Sequence, residues 1–317
     1  MKELFVERSF SMASMDIIQI VNRILDEYQS QGFRLSLRQL YYQLVARDYI
    51  PNTQRSYKNL GNLVSNARQA GLVDWRMIED RGRSTEGNAH WKNPAEIVKA
   101  AAYSFRIDKW EEQPYHIEAM VEKDALSGVL SPVCRQLDIR ITANKGYSSS
   151  STMYDIGQRL KWKAEDGKKI CVLYLGDHDP SGIDMTRDVE ERLLMYSRLR
   201  NIEVVRLALN WDQVQLWQPP ENPAKETDAR FQAYAREFGD SSWELDAVEP
   251  RQLADLVREA INQRLDDDLW AEAVEKENEM RADLQSFVDK YDDGNGNYGL
   301  DNDYDPDDQD DDEDEDY

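Results

Sequence analysis

The stretch ICVLYLGDHDPSG, residues 170–182, decides the fold. Its first six residues are apolar or aromatic and fit a buried strand, and Pro180 and Gly182 then turn the chain sharply. Two aspartates, Asp177 and Asp179, flank a histidine where the strand ends. Aspartate at such a position either caps the following helix or binds a metal ion. The stretch therefore predicts a strand, a turn and a helix, and leaves open which task the aspartates perform.

Three further short runs have the same strand character: IEAMV (117–121), IRITA (139–143) and EVVRLAL (203–209). Segments with helical periodicity separate the strands, near 124–137, 151–165 and 183–199. Strands that alternate with helices predict a parallel sheet covered on both faces. The expected fold class is therefore α/β.

The first hundred residues instead predict short helices. Apolar residues recur at helical spacing in 15–29, in a segment that opens at Ser36, and in 53–70 before Gly71. The sequence LVDWRMIEDRGR, residues 72–83, then predicts a short element with a turn, as in a wing. Three helices and a wing with basic outer faces predict a winged-helix-like DNA-binding domain. A small helical bundle with an ordinary basic surface is the alternative.

Charge divides the chain into regions. Of the net charge of −23, residues 292–317 account for fourteen Asp and Glu with no Lys or Arg, whereas residues 1–110 carry +4. We expect a winged-helix-like domain over 1–110, an α/β domain with a C-terminal helical extension over 111–290, and a disordered acidic tail over 291–317. The basic first region predicts DNA as the partner.

Composition argues against a membrane protein and against a secreted protein. No apolar run approaches the roughly eighteen residues of a membrane span, and the N-terminus lacks the apolar core of a signal peptide. Cys134 and Cys171 lie in apolar surroundings without metal-type spacing, which predicts buried thiols in a cytoplasmic protein. We expect it to act there on chromosomal, nucleoid or phage DNA.

The strand ends predict a metal site. Glu122 follows the first strand, and Asp177 and Asp179 follow the third. Because ligands of open parallel sheets gather at the carboxyl ends of the strands, these acids are candidate ligands for Mg²⁺, with Mn²⁺ as an alternative. A cap role for the aspartates is the competing interpretation. His178 is interpreted as a phosphate contact rather than a metal ligand.

Several segments resemble one family. VEKDAL (121–126) followed by LGDHDPSGIDM (175–185) is similar to the Toprim domain. The wider run is similar to the A subunit of topoisomerase VI and the related meiotic double-strand-break transesterases. That likeness extends through ANKGYSSSSTMYDIGQRL (143–160), LNWDQVQLWQPPENPAKETDARFQAYAREFG (209–239) and WELDAVEPRQLADLV (243–257). The resemblance covers roughly 30–265. It implies a winged helix followed by a Toprim domain, which is a Rossmann-like parallel sheet.

The resemblance also implies a nucleophile. Family members cleave DNA with a tyrosine in an Arg-x-x-Tyr-Tyr-like context, which matches Arg38 to Tyr42 here. Helical spacing places Tyr41 on the apolar stripe and turns Tyr42 about 100° away toward Arg38, where we expect it to be exposed. Tyr42 and Glu122 are thus the predicted catalytic residues. The alternative is that Tyr42 contacts DNA without reacting.

The resulting hypothesis is Mg²⁺-dependent DNA strand cleavage by topoisomerase VI A-like transesterification. Family members place the tyrosine of one protomer over the metal site of another, so a homodimer is implied, with a separate ATPase or accessory subunit as a further partner. The predicted phosphate contacts are Arg38, Arg55, Lys58, Arg68 and Lys145. Two alternatives stay open: a hydrolytic Toprim nuclease that uses activated water, and a non-enzymatic DNA-binding protein with a vestigial metal site.

Overall fold

The computed structural model describes residues 2–78, 90–143 and 148–292. The described residues of Met1–Thr85 and Lys109–Trp270 form one compact unit, and those of Glu86–Asp108 and Ala271–Tyr317 form a second. The first unit therefore contains both the N-terminal helices and the sheet. Residue 145, and the acidic tail beyond residue 292, lie outside the described residues.

Three helices open the first unit: α1 (Met12–Ser30), α2 (Leu37–Ala46) and α3 (Gln54–Gln69). The predicted cap of α2 is confirmed, because the Ser36 side chain accepts from the backbone N–H of Gln39 while the Gln39 side chain accepts from that of Ser36. The Thr53 side chain caps α3 by accepting from the backbone N–H of Ser56 at 3.1 Å. The helices pack on a shared core that includes Ile24, Leu44 and Val64.

The predicted wing is described only through Ile78. Over residues 72–78 the chain forms turns and one parallel bridge, between Leu35 and Ile78, without a strand. The rest of the predicted wing lies outside the described residues.

A four-stranded parallel sheet follows, as predicted. Its strands are β1 (Tyr115–Val121), β2 (Arg140–Ala143), β3 (Lys169–Leu175) and β4 (Glu203–Ala208), in the order β2-β1-β3-β4. The intervening helices are α5 (Ser127–Gln136), α6 (Ser150–Glu165) and α7 (Pro180–Ser197). Because β1 and β3 are neighbours, their carboxyl ends lie side by side.

Both faces of the sheet are buried, as the apolar runs predict. Along β3, Cys171 and Leu173 pack into one apolar layer, and Val172 and Tyr174 pack into the other. The alternation follows from the two-residue period of a strand. The expectation that both cysteines are buried thiols is confirmed.

After β4, the chain forms α8 (Trp211–Trp217), β5 (Glu221–Pro223), α9 (Phe231–Phe238) and β6 (Ser241–Trp243). Strands β5 and β6 pair antiparallel, and we call residues 221–246 the hairpin segment. It contacts the N-terminal helices through the Asn52 side chain, which donates to the backbone oxygen of Glu221 at 2.7 Å. Helix α10 (Pro250–Asn262) then packs on the sheet beside α5.

The second unit contains α4 (Pro94–Ser104) and all but the start of α11 (Asp267–Asp292). Within it, Glu277 is buried and accepts from the backbone N–H of Ile107 at 3.1 Å and from Arg281 at 2.6 Å. No helix of the described residues combines the length and apolar character needed to cross a bilayer.

Candidate active site

The carboxyl ends of β1 and β3 bring Glu122 and Asp177 together. The Glu122 backbone N–H donates to the Leu175 oxygen at 2.9 Å, and Glu122 Oε2 accepts from the Asp177 backbone N–H at 2.9 Å. Gly176 makes this approach feasible, because a Cβ there would lie 2.9 Å from Glu122 Oε2. Two of the three predicted acids therefore meet at one sheet edge.

Asp179 caps helix α7. Its Oδ1 accepts from the backbone N–H of Gly182 at 2.5 Å and from the Ser181 hydroxyl at 2.9 Å. Gly182 has no room for a side chain, because a Cβ would collide with the backbone oxygen of Asp177. Asp179 thus caps α7 through Oδ1, whereas Oδ2 of the same carboxylate takes part in neither of these bonds, so the cap does not rule out a metal contact.

Asp177 belongs to a network of five charged side chains. Its Oδ1 accepts from the Leu245 backbone N–H at 2.8 Å, and its Oδ2 lies 2.7 Å from Lys123 Nζ. The same ammonium lies 2.8 Å from Glu244 Oε2 and 3.1 Å from Asp246 Oδ2. Arg38 donates to both carboxylate oxygens of Glu244, and its Nε lies 3.6 Å from Asp246 Oδ2.

Burial shifts the pKa values of these acids. Burial raises the pKa of Glu122, with the negative charge of Asp179 adding to the shift. Burial also raises the pKa of Asp177, although Lys123 opposes it. For Glu244, burial acts to raise the pKa, but Lys123 and Arg38 outweigh it, so the pKa is lowered. Burial and like charge together disfavour the charged forms of Glu122 and Asp177, and a nearby cation would offset both effects.

These residues line one cavity of about 1420 Å³. Helices α2 and α3 contribute Arg38, Tyr42 and Lys58, and the sheet edge contributes Glu122 and Asp177. Asp179, Lys123, Lys225, Glu244 and Asp246 also line it. A cavity with converging polar groups and acids of shifted pKa is a candidate active site.

Tyr42 lines this cavity but is not exposed as expected: only 3% of its surface is accessible. Its hydroxyl accepts from Asn222 Nδ2 of the hairpin segment at 3.1 Å. Burial raises the pKa of Tyr42 to about 12, and the negative charge of Glu244 adds to that shift. The expectation of exposure is wrong because the hairpin segment covers the helix face that α2 alone would leave open.

The predicted proximity of Arg38 to Tyr42 is confirmed, since the guanidinium carbon lies 5.9 Å from the centre of the Tyr42 ring. Tyr41 is buried in the helical core, as predicted. Its hydroxyl lies 2.9 Å from Asn52 Oδ1, which joins it to the hairpin segment through Asn52.

The other predicted phosphate contacts are in different places. Lys58 is exposed and lines the cavity. Arg55 is exposed on α3 but is not part of the cavity wall. Arg68 donates to the backbone oxygens of Trp75 and Ile78 at 3.1 and 2.8 Å, so it supports the turn after α3 rather than the cavity. Lys145 lies outside the described residues.

The interpretation of His178 as a phosphate contact is wrong. Its side chain is buried, and its Nδ1 lies 2.8 Å from the Tyr234 hydroxyl. That hydroxyl donates to the backbone oxygen of His178 at 3.0 Å. The ring packs among Trp211, Phe238 and Trp243, and burial lowers its pKa to about 4. His178 therefore holds the hairpin segment to the sheet edge.

The sequence alone did not predict several residues that line the cavity or hold the turns that form it. Arg206 on β4 donates to the backbone oxygens of Asp177 and Gly182 at 2.6 and 2.9 Å, which fixes the turn between β3 and α7. Lys123, Glu244 and Asp246 complete the charged network. The only signal was local: Lys123 directly follows Glu122, and the sequence WELD places two acids after a short strand.

The carboxylates fit a hard cation by their chemistry. Oxygen ligands are those that Mg²⁺ prefers, and the mutual repulsion of Glu122, Asp177 and Asp179 favours a nearby positive charge. Within the described residues, however, no three acidic, histidine or cysteine side chains form a ready-made metal shell. Asp177 is instead paired with Lys123, and Asp179 with the start of α7.

In comparisons with known proteins, no protein-family model matches the chain, and no curated protein sequence matches it significantly.

Proposed function

We propose that this protein cleaves DNA strands in a Mg²⁺-dependent reaction, with Mn²⁺ as an alternative ion. The observation that carries the proposal is the shared cavity, which the acids of the sheet edge line together with basic side chains of α2 and α3. The proposal also rests on the Toprim resemblance of the sequence, and the parallel sheet, with Glu122 after β1 and Asp177 after β3, is compatible with it. A winged-helix-like front, a homodimer and an accessory subunit belong to the same hypothesis.

Each group in the cavity has a role in this proposal. Glu122, Asp177 and Asp179 would hold the ion, and a bound Mg²⁺ would neutralise the phosphodiester and stabilise charge on the leaving oxygen. Lys58 on α3 and Lys225 in the hairpin segment both line the cavity and would contact the DNA backbone. Arg206 positions the acids by holding the turn that carries Asp177.

Water is the nucleophile that the geometry favours. A tyrosine nucleophile needs an accessible hydroxyl and a stabilised phenolate. Tyr42 is buried, accepts a hydrogen bond from Asn222 and has a raised pKa. Hydrolytic cleavage is therefore the leading form of the proposal.

Tyrosine transesterification is the second candidate, and one observation favours it. Tyr42 and Arg38 line the same cavity as the three acids within a single chain. Release of the hairpin segment from Tyr42 would open its hydroxyl to the cavity that these carboxylates line.

The test is cleavage of supercoiled DNA with Mg²⁺ or Mn²⁺, quenched in denaturant and analysed with and without protease. Wild type is compared with Tyr42→Phe, Asp177→Asn and the matched control Asp212→Asn, an acid at the start of α8 that does not line the cavity. We expect protein-free product that survives Tyr42→Phe and Asp212→Asn but not Asp177→Asn. Product that enters the gel only after proteolysis and disappears in Tyr42→Phe would establish transesterification. Metal-independent DNA binding without any product would indicate a non-enzymatic binding protein.

A further inference from the structure

One carboxylate in the cavity bridges two cations that belong to different parts of the fold. Glu244 follows β6 and accepts from Arg38 on α2 through both of its oxygens. Its Oε2 also lies 2.8 Å from Lys123 Nζ, beside the end of β1. Glu244 thus occupies a position where an anion meets a guanidinium and an ammonium together.

The two cations have further anchors beneath Glu244. Lys123 lies 2.7 Å from Asp177 and 3.1 Å from Asp246, and Arg38 lies 3.6 Å from Asp246. The Asp246 side chain is fully buried, whereas 22% of the Glu244 side chain is exposed. Glu244 is therefore the most accessible of the three acids, and its departure would leave both cations held in place.

We propose that Arg38 and Lys123 form a subsite for one phosphate group of the DNA backbone, and that the Glu244 carboxylate occupies this subsite when DNA is absent. The inference rests on the proposed function for its ligand, a polynucleotide phosphodiester. A planar guanidinium fork beside an ammonium suits phosphate oxygens as well as it suits a carboxylate.

Charge explains why Glu244 opposes DNA. With Glu244 in place, two cations face the three acids Asp177, Glu244 and Asp246, so the group carries one net negative charge. Without it, the two cations balance the two deeper acids of this network, so an arriving phosphate meets one like charge fewer. Glu244 therefore acts as an internal competitor that weakens binding until DNA displaces it.

The test is the affinity of Glu244→Gln for a short fluorescent DNA duplex, measured by anisotropy in EDTA so that no cleavage is required. Glutamine keeps the length of the side chain and removes its charge. The matched control is Glu237→Gln, which removes the same charge from an exposed position on α9 outside the cavity. We expect Glu244→Gln to bind about tenfold more tightly than wild type, because one like charge is removed within a few ångströms of the phosphate. Glu237→Gln should stay within about twofold of wild type at moderate salt.

A second variant tests the cations themselves. Adding Arg38→Gln to Glu244→Gln should abolish most of the gain and lower the slope of log affinity against log salt by about 0.9, the loss of one phosphate contact. Thermal melting confirms that each variant is folded. If Glu244→Gln binds no more tightly than Glu237→Gln, or if Arg38→Gln leaves the gain intact, the subsite is wrong.

The assay separates this inference from the proposed function. Tighter binding by Glu244→Gln with no cleavage by wild type would overturn the proposed function and keep the subsite. Cleavage by wild type with unchanged binding by Glu244→Gln would overturn the subsite and keep the proposed function. Millimolar inorganic phosphate at constant ionic strength should leave duplex binding by Glu244→Gln nearly unchanged; strong competition would assign the subsite to a free phosphate ligand and overturn the polynucleotide assignment.

Discussion

Removal of the ammonium at the centre of the charged network should destabilise the fold strongly. In Lys123→Met the apolar stem is kept, but Asp177 and Asp246 lose the cation at 2.7 and 3.1 Å. Breaking a buried ion pair by removing one partner costs about 3–5 kcal/mol. Because 23% of the Lys123 side chain is exposed, we expect the low end of that range, about 3 kcal/mol.

The loss of stability in Lys123→Met should increase as the pH rises. Without Lys123, burial and the charge of Glu122 both raise the pKa of Asp177 in the folded state. A carboxyl group with a raised folded pKa binds its proton more tightly in the folded than in the unfolded protein, so stability falls as pH rises through the raised value. The difference between Lys123→Met and wild type should therefore be larger at pH 8 than at pH 5.

Urea denaturation at the two pH values measures this effect. The matched control is Lys58→Met, which removes an exposed ammonium from the wall of the same cavity and should cost no more than about 0.5 kcal/mol. Equal free energies of unfolding for the two variants would refute the network as a stabilising element. A larger loss for Lys123→Met at pH 5 than at pH 8 would refute the inference that the pKa of Asp177 is raised in the folded protein.

Three further predictions concern the supports of the site. Gly176→Ala should lower the free energy of unfolding by about 1–3 kcal/mol in urea, because its Cβ would lie 2.9 Å from Glu122 Oε2. The control is Gly61→Ala on α3, where the Cβ would meet only Leu37 Cδ2 at 3.4 Å, and an equal loss there would contradict the crowding argument. In proton NMR, one of the three histidines, His178, should titrate near pH 4, and three ordinary titrations would contradict its burial. Ser36→Ala should cost about 1 kcal/mol in urea because it removes the cap of α2, whereas a wild-type midpoint would show that the cap contributes nothing.

The local structure was predictable because it depends on neighbours in sequence. The apolar runs identified β1 to β4, and Ser36 identified the start of α2, since strand period and helix capping act over a few residues. The expectation that Glu122 and Asp177 meet needed only that the strands be parallel and that β1 lie beside β3.

The composition of the site depended on contacts between distant segments, which no local pattern reports. The hairpin segment places Asn222 on the Tyr42 hydroxyl and Glu244 between Arg38 and Lys123, across separations of more than one hundred residues. Helical geometry alone correctly turned Tyr42 away from the stripe of Tyr41 but could not reveal what covers that face. The sequence thus determined the α/β architecture and the acids at its edge, whereas the tertiary structure alone decided that Tyr42 is buried and that Asp177 is paired with an ammonium, because burial and ion pairing arise only when distant segments pack together.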